Sequence, residues 1–264
     1  MKLSELKGDW ALVTGTSSGI GHEFAGQLAQ AGLNLALVAR REERLQALAD
    51  SLRQEHGIAT QVIAADLTEA GAAGRIQAQL AAAGIRVRLL CNNAGAGRWG
   101  RFEGGTAADY DKINALNTSA LVAMCHAFFG DLASFRGSAV INVSSAAAYQ
   151  PVPYMAMYAA SKAFVQSFSQ ALHGEWKGHG ILVQTLVPGP TESEFDAKAG
   201  AYESAVTRRD TPAQVVRASL QGLEKELPVV TAAKGTYKQR FFAGLFPPAM
   251  VIREVGKMFK PPQS

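Results

Sequence analysis

The chain has 264 residues, of which 48% are hydrophobic and 18% charged, a composition that excludes a disordered or fibrous protein. Its net charge of +4 is small for this length and its basic residues are scattered, so nucleic acid is not an expected partner. The N-terminus has no apolar signal core, and no run approaches the roughly 20 apolar residues that span a bilayer. We therefore expect a soluble cytoplasmic protein with a single domain over residues 1–264.

The cysteines and histidines give no sign of a metal site. Cys91 and Cys125 lie in apolar segments, which favours buried small hydrophobic side chains in a reducing compartment. The five histidines share no spacing with carboxylates or cysteines. We expect no metal ion.

A glycine-rich turn follows the first predicted strand, 10–13, and precedes a helical pattern that runs to about Gln30. Glycines let the backbone turn tightly and approach a pyrophosphate, and the first turn of the helix offers free N–H groups. The turn could be a simple connection, but its place between strand and helix favours a phosphate site. The candidate residues are Gly15, Ser17, Ser18, Gly19, Ile20 and Gly21.

The end of the second predicted strand, 33–39, bears on the choice of cofactor. An acidic residue there would bind the ribose hydroxyls of NAD, but Ala39 ends this strand and Arg40 and Arg41 follow. Paired arginines could be a solvated helix start, although cations are disfavoured at a helix N-terminus. The charges therefore favour NADP over NAD.

Two further strand ends add candidate nucleotide contacts. The third strand, 58–65, ends at Asp66, which could accept a hydrogen bond from the adenine amine or cap a helix beginning near Thr68. The fourth strand, 87–91, breaks into a turn whose asparagines tolerate unusual backbone angles and brace neighbouring loops. The candidates at these two ends are Asp66, Leu67, Asn93, Ala94 and Gly95.

Strands and helices alternate along the rest of the chain. A capping signal at 106–109 begins a long helix that continues towards Phe129 and contains Asn117, an unfavourable residue inside a helix. Apolar runs at 139–143 and 181–187 predict two more strands, and 228–231 predicts a short last one. Such alternation predicts an α/β protein with a parallel sheet covered on both faces.

Tyr158 and Lys162 lie four residues apart, so a helix places them on one face. A free tyrosine has a pKa of about 10, and an adjacent ammonium would lower it, making the phenol a usable general acid or base. Ser145 follows the strand at 139–143 and would reach the carboxyl edge of the sheet. Together the three side chains can hold and protonate a carbonyl oxygen.

Read in order, these motifs resemble the classical short-chain dehydrogenase/reductase family over nearly the whole chain. The matching residues are Thr14-Gly15-x-x-x-Gly19-x-Gly21, Asp66, Asn92-Asn93-Ala94-Gly95, Asn117, Ser145, Tyr158-x-x-x-Lys162 and Pro188-Gly189. The resemblance implies a Rossmann-type doubly wound sheet of about seven strands, a homodimer or homotetramer, and NADP(H) as the cofactor. Within it, 1–120 would be the dinucleotide-binding half and 138–233 the catalytic half.

The resemblance also implies roles for single residues. Tyr158 would be the proton donor, Ser145 would orient the substrate carbonyl, and Lys162 would lower the tyrosine pKa and hold the nicotinamide ribose. Asn117 would position a water in a proton relay. The segment that would meet the nicotinamide carboxamide contains Pro188, Gly189, Thr191 and Ser193.

Two segments in the last third of the chain could contact a substrate. Residues 190–210 could be a mobile lid or an ordinary loop, and 234–264 forms an aromatic, basic, amphipathic extension. The extension could pack on the body or another subunit, wall an apolar substrate, or contact a membrane; packing ranks first and membrane contact last. The candidate pocket residues are Arg98, Trp99, Ala147, Tyr154 and Met155.

Local similarity of 167–173 and 183–188 to 3-oxoacyl thioester reductases and hydroxysteroid dehydrogenases suggests reduction of an apolar ketone. The alternatives are oxidation of a secondary alcohol, and a nucleotide sensor or scaffold without turnover.

Overall fold

A seven-stranded sheet forms the centre of the computed structural model, which describes residues 1–200, 209–232 and 244–261. The strand order is β3-β2-β1-β4-β5-β6-β7, and every neighbouring pair is parallel. This confirms the predicted class and number of strands. The strands are β1 Trp10–Thr14, β2 Asn34–Ala39, β3 Thr60–Ala64, β4 Val87–Asn92, β5 Ser138–Val143, β6 Ile181–Val187 and β7 Val229–Thr231.

Helices connect the strands and cover both faces of the sheet. They are α1 Gly19–Gln30, α2 Glu42–His56, α3 Ala72–Ala82, α4 Ala107–Asn114, α5 Ala120–Ala133, α6 Ala156–Trp176, α7 Phe195–Ala199, α8 Pro212–Glu224 and α9 Pro248–Phe259. A π-helical turn, Ala115–Ser119, joins α4 to α5. The predicted start of α8 is confirmed, because Thr211 accepts a hydrogen bond from the Gln214 N–H and Pro212 is the first helical residue.

The core has one layer on each side of the sheet. Successive residues of β1 belong to different layers: Ala11 packs with α1, α2 and α8, whereas Leu12 packs with α3, α5 and α6. Both faces are therefore dry, and all six residues of β5 are buried. This double burial explains why the strands read as continuous apolar runs in the sequence.

Some boundaries differ from the prediction. α3 begins at Ala72 rather than near Thr68, because Asp66 accepts hydrogen bonds from Thr68 N and Oγ1, at 2.9 and 2.7 Å, and closes a separate turn. The long helix predicted from the 106–109 cap widens into the π turn and extends to Ala133, beyond Phe129. Residues 201–208 of the predicted lid, and 234–243 and 262–264 of the extension, lie outside the described residues.

The order of the strands places the candidate site. The connections run to one side from β1 to β3 and to the other side from β4 to β7, so the topology reverses between β1 and β4. Ligands of open parallel sheets bind at such a reversal, outside the carboxyl ends of the strands. Thr14, Asn92 and Val143, the last residues of β1, β4 and β5, all lie at this edge.

Candidate active site

The glycine turn after β1 has the backbone shape that close approach of a ligand needs. Gly15 and Gly19 have φ of +73° and +59°, in the left-handed region that favours glycine. A Cβ on Gly21 would collide with the side chain of Asn93 and lie 2.5 Å from the Gly15 carbonyl. The turn is therefore built to leave its backbone exposed at the N-terminus of α1, where N–H groups are available for an anion.

The turn after β4 braces the glycine turn. The Thr14 hydroxyl accepts hydrogen bonds from the N–H groups of Asn93 and Ala94, both at 3.0 Å. In return, Asn93 Nδ2 donates to the Thr14 carbonyl at 2.9 Å. Leu67, Thr14 and Ala94 line a small cavity between the two strand ends. The structure thus brings together the candidates from β1, β3 and β4, as the sequence predicts.

Within the described part of the chain, the side chains of two other candidates in the glycine turn, Ser18 and Ile20, make no polar contact that shapes the turn. Only their backbone groups are therefore candidates for binding a ligand. The side chain of Ile20 packs on the core, and Ser18 precedes α1 without a side-chain capping bond. Ser17 differs, because its hydroxyl accepts a hydrogen bond from Arg41 at 2.8 Å.

The cations after β2 point in different directions. Arg40 is exposed, with Nη1 3.9 Å from Asp66 Oδ2. Its neighbour Arg41 reaches Glu194, at 3.1 Å, on the loop after β6. The two hydrogen bonds from Thr68, with a smaller contribution from Arg40, hold the pKa of Asp66 below its ordinary value. Asp66 therefore serves as the cap of the following turn, and one of its oxygens still faces the cleft edge near Arg40.

Ser145, Tyr158 and Lys162 meet at the carboxyl edge. Ser145 Oγ accepts a hydrogen bond from the Ala147 N–H at 3.2 Å, and a hydrogen bond links Ser145 with Tyr158. Lys162 is 5% exposed; its Nζ donates to the Val143 carbonyl at 2.9 Å and lies 5.8 Å from the centroid of the Tyr158 ring. A phenol, a hydroxyl and an ammonium group thus lie together, as expected.

The pKa values differ from the sequence expectation. Burial raises the pKa of Tyr158, and the hydrogen bond with Ser145 offsets only part of that effect. Burial also lowers the pKa of Lys162 to about 8. The net shift at Tyr158 is upward because burial outweighs the hydrogen bond, and the Lys162 ammonium donates to the Val143 carbonyl. A contribution of Lys162 to lowering the pKa of Tyr158 stays a prediction. A raised pKa keeps the phenol protonated at neutral pH, the state that a proton donor requires.

Asn117 lies in the π turn, 2% exposed, and its side chain is occupied on both sides. Oδ1 accepts from the Ala96 N–H at 2.8 Å, while Nδ2 donates to the Ala96 carbonyl at 2.8 Å and to Ser161 Oγ at 2.9 Å. The side chain therefore braces the loop after β4 against α6. Its role in holding a water stays a prediction.

The segment after β6 crosses the cleft. Pro188 accepts a hydrogen bond from the Ala146 N–H at 2.8 Å, and Thr191 Oγ1 donates to the Gly189 carbonyl at 2.9 Å. Ser193 lies against the glycine turn, since a Cβ on Gly19 would be 3.0 Å from Ser193 Cβ. All four candidates of this segment are thus at the cleft.

An apolar cluster adjoins Tyr158. Its buried members come from the loop before α6, from α6 itself and from α9, and six partly buried side chains, four of them aromatic, surround them. The cluster comprises Val152, Met155, Ala159 and Val255, with Trp99, Ala147, Tyr158, Phe195, Val251 and Phe259 packed against them. Trp99 Nε1 donates to the Phe259 carbonyl at 2.9 Å, and the two rings are 5.1 Å apart.

A family model described as short chain dehydrogenase matches residues 9–204. The chain belongs to the short-chain dehydrogenase family. Very-long-chain 3-oxoacyl-CoA reductase of Bos taurus is 32% identical over 185 residues, which cover 69% of this chain but only 59% of that protein. The 7beta-hydroxysteroid dehydrogenase of Collinsella aerofaciens is 29% identical over 238 residues, covering 89% of this chain and 90% of that protein. A structure of a short-chain dehydrogenase from Sphingobium yanoikuyae, in complex with NADPH, matches with a TM-score of 0.80 at 30% identity over 97% of both chains.

For this short-chain dehydrogenase, the pocket candidates divide into two groups. Trp99, Ala147 and Met155 belong to the apolar cluster, and the Tyr154 carbonyl accepts from the Gly100 N–H at 2.9 Å. Arg98 instead donates to backbone carbonyls of its own loop, with its guanidinium 5.9 Å from the ring centroid of Tyr110. Arg98 is therefore a structural residue of that loop, a correction to the sequence expectation.

Sequence reasoning missed several residues of the site. Phe195 lies 5.1 Å from Tyr158, ring to ring, and Arg44 Nη1 lies 2.7 Å from Glu194 Oε1. Val255 arrives from the C-terminal helix, nearly 100 residues beyond Tyr158. These contacts depend on tertiary packing, and only the apolar pattern of α9 gave a signal in the sequence.

The described part of the chain contains neither a candidate metal site nor a helix that could cross a membrane. Among the residues that the structure describes, no group of three or more histidine, cysteine, aspartate or glutamate side chains could hold a metal ion. Over those same ranges, every helix is too short or too polar to cross a bilayer.

Proposed function

We propose that this member of an oxidoreductase family uses NADP(H) to reduce a ketone on a bulky apolar substrate to a secondary alcohol. The observation that carries the proposal is the position of the Tyr158 phenol. It is hydrogen-bonded to Ser145 on one side and packed against the apolar cluster on the other. A carbonyl placed beside Tyr158 would have a proton donor at its oxygen and apolar surface around its carbon skeleton.

The chain's own residues divide the proton chemistry between them. Tyr158 donates its proton to the carbonyl oxygen, and Ser145 holds that oxygen by a hydrogen bond. Lys162, one helical turn beyond Tyr158, supplies positive charge that favours the phenolate left behind. Asn117 fixes the loop that ends at Ala96 and, in this proposal, also positions a water through which the phenolate regains its proton.

The residues at the carboxyl edge fit a dinucleotide. Glycines at positions 15, 19 and 21 leave no Cβ over the start of α1, and Ala39 places no carboxylate at the end of β2. Arg40 and Arg41 follow, which supports a preference for the phosphorylated cofactor. When bound, the cofactor supplies the hydride that adds to the carbonyl carbon.

The substrate proposal rests on the apolar cluster and on the relatives. One relative is named as acting on hydroxysteroids and another on very-long-chain 3-oxoacyl-CoA. Both names describe molecules with a large apolar part, a steroid ring system or a long acyl chain. The hydroxysteroid relative matches over nearly its whole length, which favours a rigid bulky ketone and keeps the long-chain 3-oxoacyl thioester as the second substrate class.

NADPH oxidation across a panel of ketones tests the proposal. We expect turnover of steroid ketones or long 3-oxoacyl thioesters with NADPH, and slower turnover with NADH or with small aromatic ketones. Tyr158→Phe should lower kcat at least about 100-fold while NADPH affinity changes less than about twofold, because only the proton donor is lost. Wild-type rates in Tyr158→Phe would refute the mechanism, and NADPH binding without turnover of any ketone would favour a sensor.

Oxidation of the matching alcohols by NADP⁺, measured with the same protein, shows whether the site also supports the reverse reaction. The ratio of NADPH to NADP⁺ in the cell then sets the net direction. We further propose a homodimer or homotetramer in the cytoplasm, a compartment consistent with the free, buried Cys91 and Cys125. Light scattering of the purified chain tests the oligomeric state, and a monomeric mass would contradict it.

A further inference from the structure

One carboxylate in the cleft contacts three cations. Glu194 Oε2 lies 3.1 Å from Arg41 Nη1 and 2.7 Å from Lys198 Nζ, and Oε1 lies 2.7 Å from Arg44 Nη1. Lys198 is a neighbour on the same segment, but the two arginines are about 150 residues away in the chain. Glu194 therefore joins the segment after β6 to the start of α2.

The guanidinium groups that Glu194 contacts lie where the proposed cofactor would carry its extra phosphate. Arg41 follows β2 and donates to the Ser17 hydroxyl and carbonyl, at 2.8 and 3.3 Å, so it lies against the glycine turn. Ser193, next to Glu194, packs against Gly19 in the same turn. The segment thus touches the cleft at the proposed pyrophosphate turn and at the cations that follow β2.

A glutamate carboxylate and a phosphate monoester present the same chemistry to arginine. Each offers two or more anionic oxygens to which guanidinium N–H groups donate, and a phosphate carries the greater charge. The ammonium of Lys198 and the guanidinium of Arg44, followed by that of Arg41, hold the pKa of Glu194 well below its ordinary value. Glu194 is thus an anion at every pH at which the protein would work.

We propose that Glu194 is an internal competitor for the 2′-phosphate of NADP(H), and that Arg41 and Arg44 together form the phosphate site. This inference rests on the proposed cofactor preference. NADPH gains the two arginines only by displacing Glu194, whereas NADH has no group to exchange for the carboxylate. Glu194 is thus a specificity-determining residue that reduces the advantage of the phosphorylated cofactor, and Arg44 is a phosphate ligand that increases it.

Binding of NADPH and NADH to Glu194→Gln tests the competition. Glutamine keeps the shape and removes the charge, so NADPH should bind about fivefold tighter, since exposed ion pairs of this kind are individually weak. NADH affinity should change less than about twofold. Glu192→Gln is the matched control, because it removes the same charge from an exposed side chain that forms no ion pair within the described residues; its affinities should equal those of wild type.

A second variant tests the phosphate site. Arg44→Ala should weaken NADPH binding at least about fivefold and leave NADH binding within about twofold, because only the phosphorylated cofactor uses that guanidinium. Thermal unfolding of each variant without cofactor checks that the fold is intact.

The outcomes separate this inference from the proposed function. Unchanged or weaker NADPH binding in Glu194→Gln overturns the competition, even if wild type prefers NADPH. Equal tightening of both cofactors also overturns it, since Glu194 would then hold the segment shut without competing at the phosphate. A wild-type protein that prefers NADH overturns the cofactor assignment itself and the inference with it.

Discussion

Lys162 shows how much a single buried charge costs at this site. Its ammonium is almost fully removed from water and has the Val143 carbonyl as a hydrogen-bond acceptor. The folded protein therefore binds a proton at this position less readily than the unfolded chain does, with a pKa of about 8 against an ordinary value of 10.5. Burial of the Lys162 ammonium therefore destabilises the folded protein, but it places a cation one helical turn from Tyr158.

The cost has a defined dependence on pH. Below pH 8 both the folded and unfolded states carry the proton, and the folded state bears the full penalty; the penalty fades as pH rises from 8 towards 10.5. Lys162→Met removes it. The difference in unfolding free energy between Lys162→Met and wild type should therefore fall by about 2 kcal/mol between pH 6 and pH 9.5.

Chemical denaturation at several pH values measures this difference. Lys225→Met, which replaces an exposed lysine, serves as the control and should give a difference that does not vary with pH. A difference for Lys162→Met that is equally flat would mean that burial does not shift the pKa of this ammonium.

At the scale of the element, two of the three glycines of α1 have opposite roles. Gly21 lies at the first turn of this helix, where a Cβ would meet Asn93 and the Gly15 carbonyl. Gly26 lies mid-helix, where such a Cβ would have no neighbour within 4 Å among the described residues, apart from the backbone of α1 itself. One glycine is required by contact with the turn that receives the cofactor in our proposal. Gly26, by contrast, destabilises α1 because a glycine loses more conformational entropy than alanine on folding, and no neighbouring side chain requires a glycine there.

Alanine at each position should therefore change stability in opposite directions. Gly21→Ala should lower the free energy of unfolding by roughly 2–4 kcal/mol, because backbone atoms must move. Gly26→Ala should raise it by about 0.5–1 kcal/mol, through helix propensity alone. Urea unfolding of both variants measures the contrast; a stable Gly21→Ala would show that the turn and Asn93 are less tightly packed than described.

Elements were predictable from the sequence to the extent that their signals are local. Buried parallel strands read as apolar runs, and Thr211-Pro212 marks the start of α8 through a cap and a helix-compatible ring. The start of α3 was misplaced because Asp66 can cap either a helix or a turn, and only the structure shows that it bonds Thr68. The π turn at Asn117 gave no signal beyond one unfavourable residue, since its partners Ala96 and Ser161 are distant in the chain.

At the scale of the whole molecule, the C-terminal helix returns to the site. Val255 is 6% exposed and packs in the apolar cluster with Met155 and Ala159, while Ile252 on the same helix is 45% exposed. Among the predicted roles of the extension, packing on the body agrees with the described part. The sequence could not predict the surface on which α9 packs, because an amphipathic pattern indicates that one face of a helix is buried but does not identify its packing partner.

The packing of α9 beside Tyr158 should affect KM only for large substrates. Val255→Ser should raise KM for a bulky ketone several-fold, because loss of about 2 kcal/mol of apolar burial loosens the wall beside Tyr158. Reduction of a small ketone should stay within about twofold of wild type. Ile252→Ser, on the exposed face, is the control, and equal effects of the two substitutions on KM would exclude α9 as part of the substrate wall.

The contact between Trp99 and Phe259 also gives the protein a built-in optical reporter. Of the three tryptophans, Trp10 begins β1 and Trp176 ends α6, so both lie at the amino edge of the sheet. Trp99 alone lies at the cleft, with its indole N–H bonded to the last residue of α9. Changes in its fluorescence on addition of a ketone would therefore follow the undocking of α9 without any attached dye, while the other two indoles supply a constant background.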